Sequence, residues 1–366
     1  MQLNKLTLRG FRNYEDAVAE FVPGVNLIVG CNANGKTNLL EGISYLSTGH
    51  AFRTRKEQEL ISFGCEFAEL TARFHSQERE QELRAVLFSG RRPRQLWLNG
   101  VKQKTAAALV GLLPSVLFCP EDLLVLKKGA APRRKLLDTL LCQLRPNYGA
   151  ALAEYNRLLE QKSAILRDCY EHPAMLAVLP DYNARMVQLG ALLISYRARC
   201  LQALEQVAAA YHKEFSGDRE TLSIQYHTVS TVDDAFASLD TLRERLTEHM
   251  HNHERAELDS GSCLSGPHKD DFETALNGLP MAAYASQGQT RTASISIKLA
   301  ERELLRRDTG EEPLLLLDDV LSELDAGRQD FVLNQLHSGQ VFITCCETDR
   351  YTKLGSVLHI ENGRIV

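Results

Sequence analysis

No stretch of the chain stays apolar for the roughly 20 residues that a membrane span needs, so no transmembrane segment is expected. The opening MQLNKLTLRGFRNYED has neither an apolar h-region nor a small-residue cleavage site, so no secretory signal is expected either. Also missing is any CxxC pair. The nine cysteines are scattered and odd in number, and the adjacent Cys345 and Cys346 suit neither a structural disulfide nor a zinc site. A reduced, cytoplasmic protein is the expectation. An excess of positive charge is lacking too: a net charge of −5 excludes a chain that holds nucleic acid by its overall field. What is there is an ordinary globular composition, 44% hydrophobic and 24% charged. Its 366 residues suffice for two or three domains with a sizeable core.

Gly30-Cys-Asn32-Ala33-Asn34-Gly35-Lys36-Thr37 matches GxxxxGK[ST] at every fixed position. Val25–Val29 before it reads as a short buried strand. Asn38 to Leu46 after it reads as a helix, with Leu39, Leu40, Ile43 and Leu46 at helical spacing. Strand, glycine loop and helix are the context of a phosphate cradle. Backbone N–H groups of Gly30, Asn32, Ala33, Asn34 and Gly35 turn toward a β-phosphate, and the helix N-terminus adds partial positive charge. Lys36 bridges β- and γ-phosphates, and the Thr37 hydroxyl serves as a Mg²⁺ ligand. The second metal anchor is Asp318, at the end of Pro313-Leu-Leu-Leu-Leu-Asp318-Asp319, whose four leucines read as a central parallel strand. Asp319 is the candidate for polarising the attacking water, so Lys36 and Asp319 are the expected catalytic pair.

Lys36 and Asp318 lie 282 positions apart, more than a compact P-loop domain needs. Apolar residues recur at helical spacing from Leu152 to Leu166 and again from about Asp181 to Phe215, with Pro173 and Pro180 between. That predicts a helical hairpin or bundle inserted into an α/β head. Beyond it, Tyr284-Ala-Ser286-Gln287-Gly288-Gln289-Thr290-Arg291 opens a helix and resembles the signature of ABC-type ATPases, which reaches the nucleotide of the opposite subunit. Leu321-Ser322-Glu323-Leu324-Asp325 resembles their D-loop. The expected architecture is an ABC-type P-loop ATPase head, residues 1–120 with 267–366, carrying a mainly helical arm lobe, residues 121–266.

With Leu8-Arg-Gly-Phe-Arg12-Asn13-Tyr14, Phe118-Cys-Pro-Glu121-Asp122-Leu123 and Ser265-Gly-Pro-His268-Lys-Asp270-Asp271-Phe272 added, the chain resembles the RecF family of bacterial recombination-repair ATPases, relatives of the SMC and Rad50-like proteins. The likeness covers nearly the full length. It implies an ATP-dependent homodimer that binds double-stranded DNA, prefers single-strand/double-strand junctions, and works with RecO and RecR to load a recombinase. It also implies that Arg12, Asn13 and Asn38 lie at the nucleotide, and that Ser286, Gly288 and Gln289 complete the partner's site. Glu121 and Asp122 stand near the Q-loop position but supply no glutamine. In SGPHKDDF, His268, Asp270 and Asp271 have either a coupling or DNA role or none, as a surface turn.

Two departures from transporter ATPases stand out. Asp319 replaces the usual glutamate, and Cys345, Cys346 and Glu347 follow strand Val341–Thr344 where a switch histidine is usual. Both predict slow hydrolysis, with ATP timing dimerisation. Six basic residues and no acid lie between Arg84 and Lys104, and six against one acid between Lys127 and Arg145. Arg91, Arg92 and Arg94, on an expected hairpin turning at Asn99-Gly100, are the first candidates for DNA phosphates, then Lys127, Lys128, Arg133, Arg134 and Lys135. His249, His251 and His253 sit close together, but without an HExxH arrangement they read as a polar helix end. The competing readings are an ABC transporter ATPase subunit, an SMC-like scaffold and a P-loop kinase. The long insert and missing histidine oppose the first, the short insert opposes the second, and the signature and D-loop oppose the third.

Overall fold

The computed structural model describes residues 1–54, 56–105, 108–334, 338–346 and 354–366. In chain order the elements begin with strands β1 (Gln2–Phe11), β2 (Tyr14–Glu20) and β3 (Val25–Val29) and helix α1 (Lys36–Thr48). Strands β4 (Phe67–Ser76), β5 (Arg79–Phe88), β6 (Gln95–Leu98), β7 (Val101–Gln103) and β8 (Ser115–Phe118) follow. Next come α2 (Ala130–Leu144), α3 (Pro146–Asp168), α4 (Leu179–Ser216), β9 (Leu222–His227), α5 (Leu239–Ser260), β10 (Asp271–Leu276), β11 (Leu279–Pro280) and α6 (Met281–Tyr284). The last are α7 (Gln287–Thr309), β12 (Leu314–Leu317), α8 (Ala326–Asn334), β13 (Val341–Cys345), β14 (Ser356–Glu361) and β15 (Arg364–Ile365).

The chain divides into two compact units, Met1–Leu124 with Ser294–Val366, and Val125–Ala293. The first is a two-sheet head. One sheet is antiparallel, in the order β2-β1-β4-β5-β6-β7. Along β4, buried and open positions alternate, so one face of the sheet packs inward. The other sheet runs β15-β14-β3-β13-β12-β8, and every pairing from β14 to β8 is parallel. Its β12 and β13 are buried at every residue, as strands covered on both faces must be. Leu39, Leu40 and Ile43 of α1 join Leu6 and Leu8 of the first sheet and Leu316 and Phe342 of the second in one core. The sequence-predicted hairpin is present: β6 and β7 pair through Leu98 and Val101, and Asn99 and Gly100 both have positive φ, as a two-residue turn of this hand requires.

The second unit holds the predicted long helices, α3 and the 38-residue α4, with α2, α5 and the sheet β11-β10-β9. Its second boundary falls inside α7 and not at residue 266 as the motif order suggests. The reason is strand pairing: β10, which begins in SGPHKDDF, pairs with β9, Phe272 against Tyr226. That motif is neither a surface turn nor an open site. Asp270 is buried, accepting from Arg197 Nη1 at 2.8 Å and Thr228 Oγ1 at 2.7 Å, and from Tyr226 Oη. Burial opposes the Arg197 charge, but Tyr148, Asp138 and Asp270 around it hold the guanidinium protonated. Gly266 has φ +125°, and a Cβ there would lie 2.3 Å from Tyr155 Oη. The Cys263 carbonyl 3.1 Å from His268 Nε2 can only accept, so Nε2 carries the proton and Nδ1 accepts from Tyr155 Oη at 2.9 Å.

Among the three histidines of the expected cluster, His249 is buried against Ser265 Oγ at 2.8 Å and stacks on His253 with ring centroids 4.0 Å apart. Burial lowers the pKa of His249 and His212, and that of His268 to about 4. Folding makes all three rings harder to protonate than in the unfolded chain, where they titrate near pH 6.5, so the unfolded chain binds more protons around and below that pH. Stability present above pH 6.5 is therefore lost as pH falls, and His268 alone accounts for up to about 3 kcal/mol by pH 4. Melting temperature followed from pH 7 to pH 5, above the main carboxylate range, should fall. His268→Gln, which keeps a donor for Cys263, should flatten the fall; identical slopes would refute the assignment.

Candidate nucleotide site

The loop after β3 is held in shape from two sides. From the β1–β2 turn, Asn13 Nδ2 donates to the Asn34 carbonyl at 2.9 Å, Tyr14 Oη donates to the Gly35 carbonyl at 2.9 Å, and Asn13 Oδ1 accepts from Asn38 Nδ2 at 2.7 Å. From the C-terminal hairpin, the Gly363 N–H donates to the Asn34 carbonyl at 3.0 Å, and Asn34 Nδ2 donates to the Ile360 carbonyl at 3.1 Å. Gly30 has to be glycine, since a Cβ would lie 2.3 Å from the Ile360 oxygen. At Gly35, φ is +115° and a Cβ would meet Asn13 at 2.7 Å. Asn32 and Ala33 at the crest are exposed. The C-terminal clasp escapes a motif reading, although Asn362-Gly363 between apolar alternations is a hairpin signal.

Lys36 is buried, 4% exposed, and its Nζ donates to the Gly30 carbonyl at 2.8 Å, the Cys31 carbonyl at 3.2 Å and Cys346 Sγ at 3.4 Å. Every one of these partners is neutral. Among the described residues no carboxylate lies within ion-pair distance of Nζ, so the first turn of α1 concentrates positive charge without an anion. Thr37 Oγ1 donates to Asp318 Oδ1 at 2.9 Å, and Thr344 Oγ1 donates to the same oxygen at 3.0 Å. Thr344 Oγ1 in turn accepts from the Asp319 N–H at 2.8 Å. Burial pushes the Asp318 carboxyl up, while the two hydroxyls pull it back. Asp319 sits in the left-handed region, φ +51°, a conformation that a short polar side chain tolerates better than a branched one.

Arg12 is near the loop as expected, but its side chain is engaged. Its Nε and Nη2 donate to Glu41 of α1 at 2.8 and 3.2 Å, and its Nη1 to the Glu59 carbonyl at 2.8 Å. Arg53, which no motif points to, donates to the same fully buried Glu41 at 2.8 Å. Burial pushes Glu41 up, and the two guanidinium groups outweigh it, leaving the carboxyl below its ordinary range. Two positive charges on one carboxylate leave a net positive pair beside the loop. Near the Q-loop position, Asp122 caps the Cys119 N–H at 3.0 Å and pairs with Lys298 of α7 at 3.8 Å. Glu301 joins them; its burial pushes its carboxyl up to about 7, against the pull of Lys298.

The signature residues make a reciprocal cap at the start of α7. Gln289 N–H donates to Ser286 Oγ at 3.2 Å, and the Ser286 N–H donates to Gln289 Oε1 at 2.8 Å. Gln289 Nε2 also holds Glu220 at 2.8 Å. Ser286 is exposed, and that cap leaves its own hydroxyl proton unused. In the D-loop, Gln329 Nε2 holds the Leu321 and Leu324 carbonyls at 2.7 and 3.0 Å, and Ser322 Oγ donates to the Asp319 carbonyl at 2.6 Å. Cys345 ends β13 and is buried, Cys346 is exposed, and Glu347 lies outside the described residues.

The basic candidates separate. Arg91 and Arg92 are exposed, with Arg92 stacked over Phe88 at 4.1 Å. Arg94 leaves the expected set: it pairs with Glu57 and donates to the Gly49 carbonyl at 2.6 Å. So does Arg133, which clasps Asp271 at 2.6 and 2.7 Å. Arg134 donates to the Asp270 carbonyl at 2.6 Å, and Lys127 to the Ala285 carbonyl at 2.6 Å. Lys128 and Lys135 are exposed.

The chain and its fold have counterparts among known proteins. A family profile described as RecF/RecN/SMC N terminal domain matches residues 2–364. The chain is 40% identical over 351 residues to the DNA replication and repair protein RecF of Symbiobacterium thermophilum, covering 95% of this chain and 92% of that one. It is 32% identical to the RecF protein of Acetivibrio thermocellus, over 100% of this chain and 99% of the other. A solved structure of the recombination mediator protein RecF-ATPrS in the RecFOR pathway superposes with a TM-score of 0.91 at 32% identity, covering 99% and 97% of the two chains. The RecF-ATP structure superposes with a TM-score of 0.88 at 33% identity, covering 100% and 97%. An SMC head domain from Pyrococcus furiosus shares the ABC-type head fold, with a TM-score of 0.56 at 15% identity over 100% of this chain and 96% of that one.

Proposed function

This chain belongs to the RecF family, and on that premise we propose that it is an ATP-dependent DNA-binding protein of recombinational repair. It dimerises on ATP, binds DNA near single-strand/double-strand junctions, and helps load a recombinase together with RecO and RecR. Slow hydrolysis to ADP and phosphate releases it. The observation that carries the reading is the meeting of Thr37 with Asp318, 281 residues apart in sequence, beside a buried Lys36 that has no carboxylate partner among the described residues. A P-loop lysine, hydroxyl and carboxylate in one place are what a nucleoside triphosphate needs. The RecF-ATP and RecF-ATPrS structures named above support ATP as that nucleotide.

In this reading Lys36 and the backbone of Gly30, Asn32, Ala33, Asn34 and Gly35 bind the phosphates, and Asn13 and Asn38 keep the loop in shape. Thr37 and Asp318 are hard oxygen donors of the kind that hold Mg²⁺, which usually takes one or two carboxylates along with substrate phosphates. Bound there, Mg²⁺ would neutralise charge across the β- and γ-phosphate oxygens. Asp319 orients the attacking water and favours loss of its proton. Being one methylene shorter than glutamate, it does so weakly, which is the physical basis for slow turnover. Ser286, Gly288 and Gln289 of a second copy close each site. Arg91, Arg92 and Lys128 are the proposed contacts to duplex phosphates; such contacts position the protein without reading sequence.

The test is ATP turnover against protein concentration, with and without double-stranded DNA at fixed salt. Turnover that rises faster than linearly, and again with DNA, is the expected result. Strictly proportional turnover, indifferent to DNA, would overturn the dimer and DNA assignments together and favour a transporter-type ATPase.

A further inference from the structure

Strand β13 lies between β3, which leads into the phosphate loop, and β12, which leads into Asp318. In a parallel sheet, ligands collect at the carboxyl ends of the strands, so the end of β13 borders the nucleotide site between its two halves. Thr344 and Cys346 there divide the work. Thr344 bridges Asp318 and the Asp319 N–H, as described above. Cys346 faces the other half: its S–H donates to Asn32 Oδ1 at 2.9 Å, and its sulfur accepts from Lys36 Nζ at 3.4 Å. With the thiol proton directed at Asn32, the sulfur lone pairs are turned to the ammonium. Lys36 is thus held between the Gly30 and Cys31 carbonyls and one thiol.

We propose that Cys346 is a positioning residue for ATP hydrolysis: through Lys36 it fixes where the ammonium stands in the loop. Asn32 orients the thiol, and Thr344 does the corresponding task for Asp318 and Asp319. A thiol is a weak acceptor, so the restraint is soft: it lets the ammonium reach the phosphates while the sulfur stays beside it. The inference rests on the ATPase reading above.

Removing the sulfur leaves the charge of Lys36 in place but its position loose. Cys346→Ala should therefore lower kcat by roughly 3- to 10-fold with the Kd for a fluorescent ATP analogue within about 2-fold of wild type, the pattern of an interaction felt in the transition state. Cys346→Ser keeps a donor and an acceptor and should restore most of kcat. A merely structural thiol would move melting temperature without this split and without rescue. A second measurement needs no variant. Cys346 is exposed, so alkylation by N-ethylmaleimide, mapped by peptide mass to separate it from the exposed Cys31, should slow when ATP is added. Unchanged kcat in Cys346→Ala, or labelling of Cys346 at the same rate with and without ATP, overturns the proposal. Wild-type protein that fails to bind the ATP analogue overturns the ATPase reading instead.

Discussion

Lys36→Ala abolishes measurable ATP turnover: a loss of at least roughly 10²–10³-fold is expected when a preorganised charge facing the developing phosphoryl charge is removed. Two observations set the size of the effect. Lys36 is 4% exposed, and among the described residues its polar partners are two carbonyls and a thiol, with no carboxylate to balance its charge. The same facts predict what happens to the fold. A buried cation without an ion-pair partner costs stability, so the alanine variant should melt at the wild-type temperature or above it. Lys36→Arg keeps the charge, but a planar guanidinium cannot occupy a pocket built for a point ammonium 2.8 Å from one carbonyl and 3.2 Å from the next. It should retain part of the ATP binding and almost none of the turnover. Steady-state phosphate release with a thermal melt on each variant decides the matter. Turnover within a few-fold of wild type in Lys36→Ala, or loss of turnover together with unfolding, would defeat the assignment.

The second large effect is expected at Ser286. Ser286→Arg should eliminate ATP-dependent self-association while leaving ATP binding by the monomer intact, because in the proposed two-copy site the residue serves the other copy and not its own. The exposed cap at the start of α7 holds a small hydroxyl whose proton has no partner among the described residues, and an arginine there adds bulk and charge to the surface proposed to close. Part of the cost would be local. Losing an N-cap hydroxyl typically destabilises by about 1 kcal/mol, so Ser286→Ala is the control for the cap. The alanine variant should lose that stability yet still associate measurably with ATP. Sedimentation with and without a slowly hydrolysed ATP analogue separates the cases. Undiminished association in Ser286→Arg would remove the two-copy site from consideration.

The parts of the nucleotide site that were legible in the sequence are those whose structure depends on neighbours along the chain. β3 occupies Val25–Val29 as its apolar run requires, and β12 follows the four leucines, because a strand covered on both faces has no polar position to give. Gly30 and Gly35 announce a backbone that approaches others closely, and the structure supplies the atoms they approach, Ile360 O and Asn13. Arginines were far less legible. Arg94 and Arg133 look from composition like phosphate contacts, but their carboxylate partners, Glu57 and Asp271, stand 37 and 138 residues away. Arg53 is the converse case, a residue in no motif that shares the buried Glu41 with Arg12.

By itself, then, the sequence determined the chemical groups available: a loop of P-loop pattern, a hydroxyl and carboxylates of the kind that ligate a metal, and an ABC-type order of motifs around a helical insert. Local order was enough, because a strand, a turn and a helix start each depend on a handful of adjacent residues. Only the tertiary structure decided which charges are already neutralised, which glycines have no alternative, that His268 and Asp270 belong to a buried polar core, and that Cys346 lies against Lys36. Those facts depend on strand order and register, which bring residue 346 to within hydrogen-bonding reach of residue 36, and no pattern of neighbouring side chains encodes that distance.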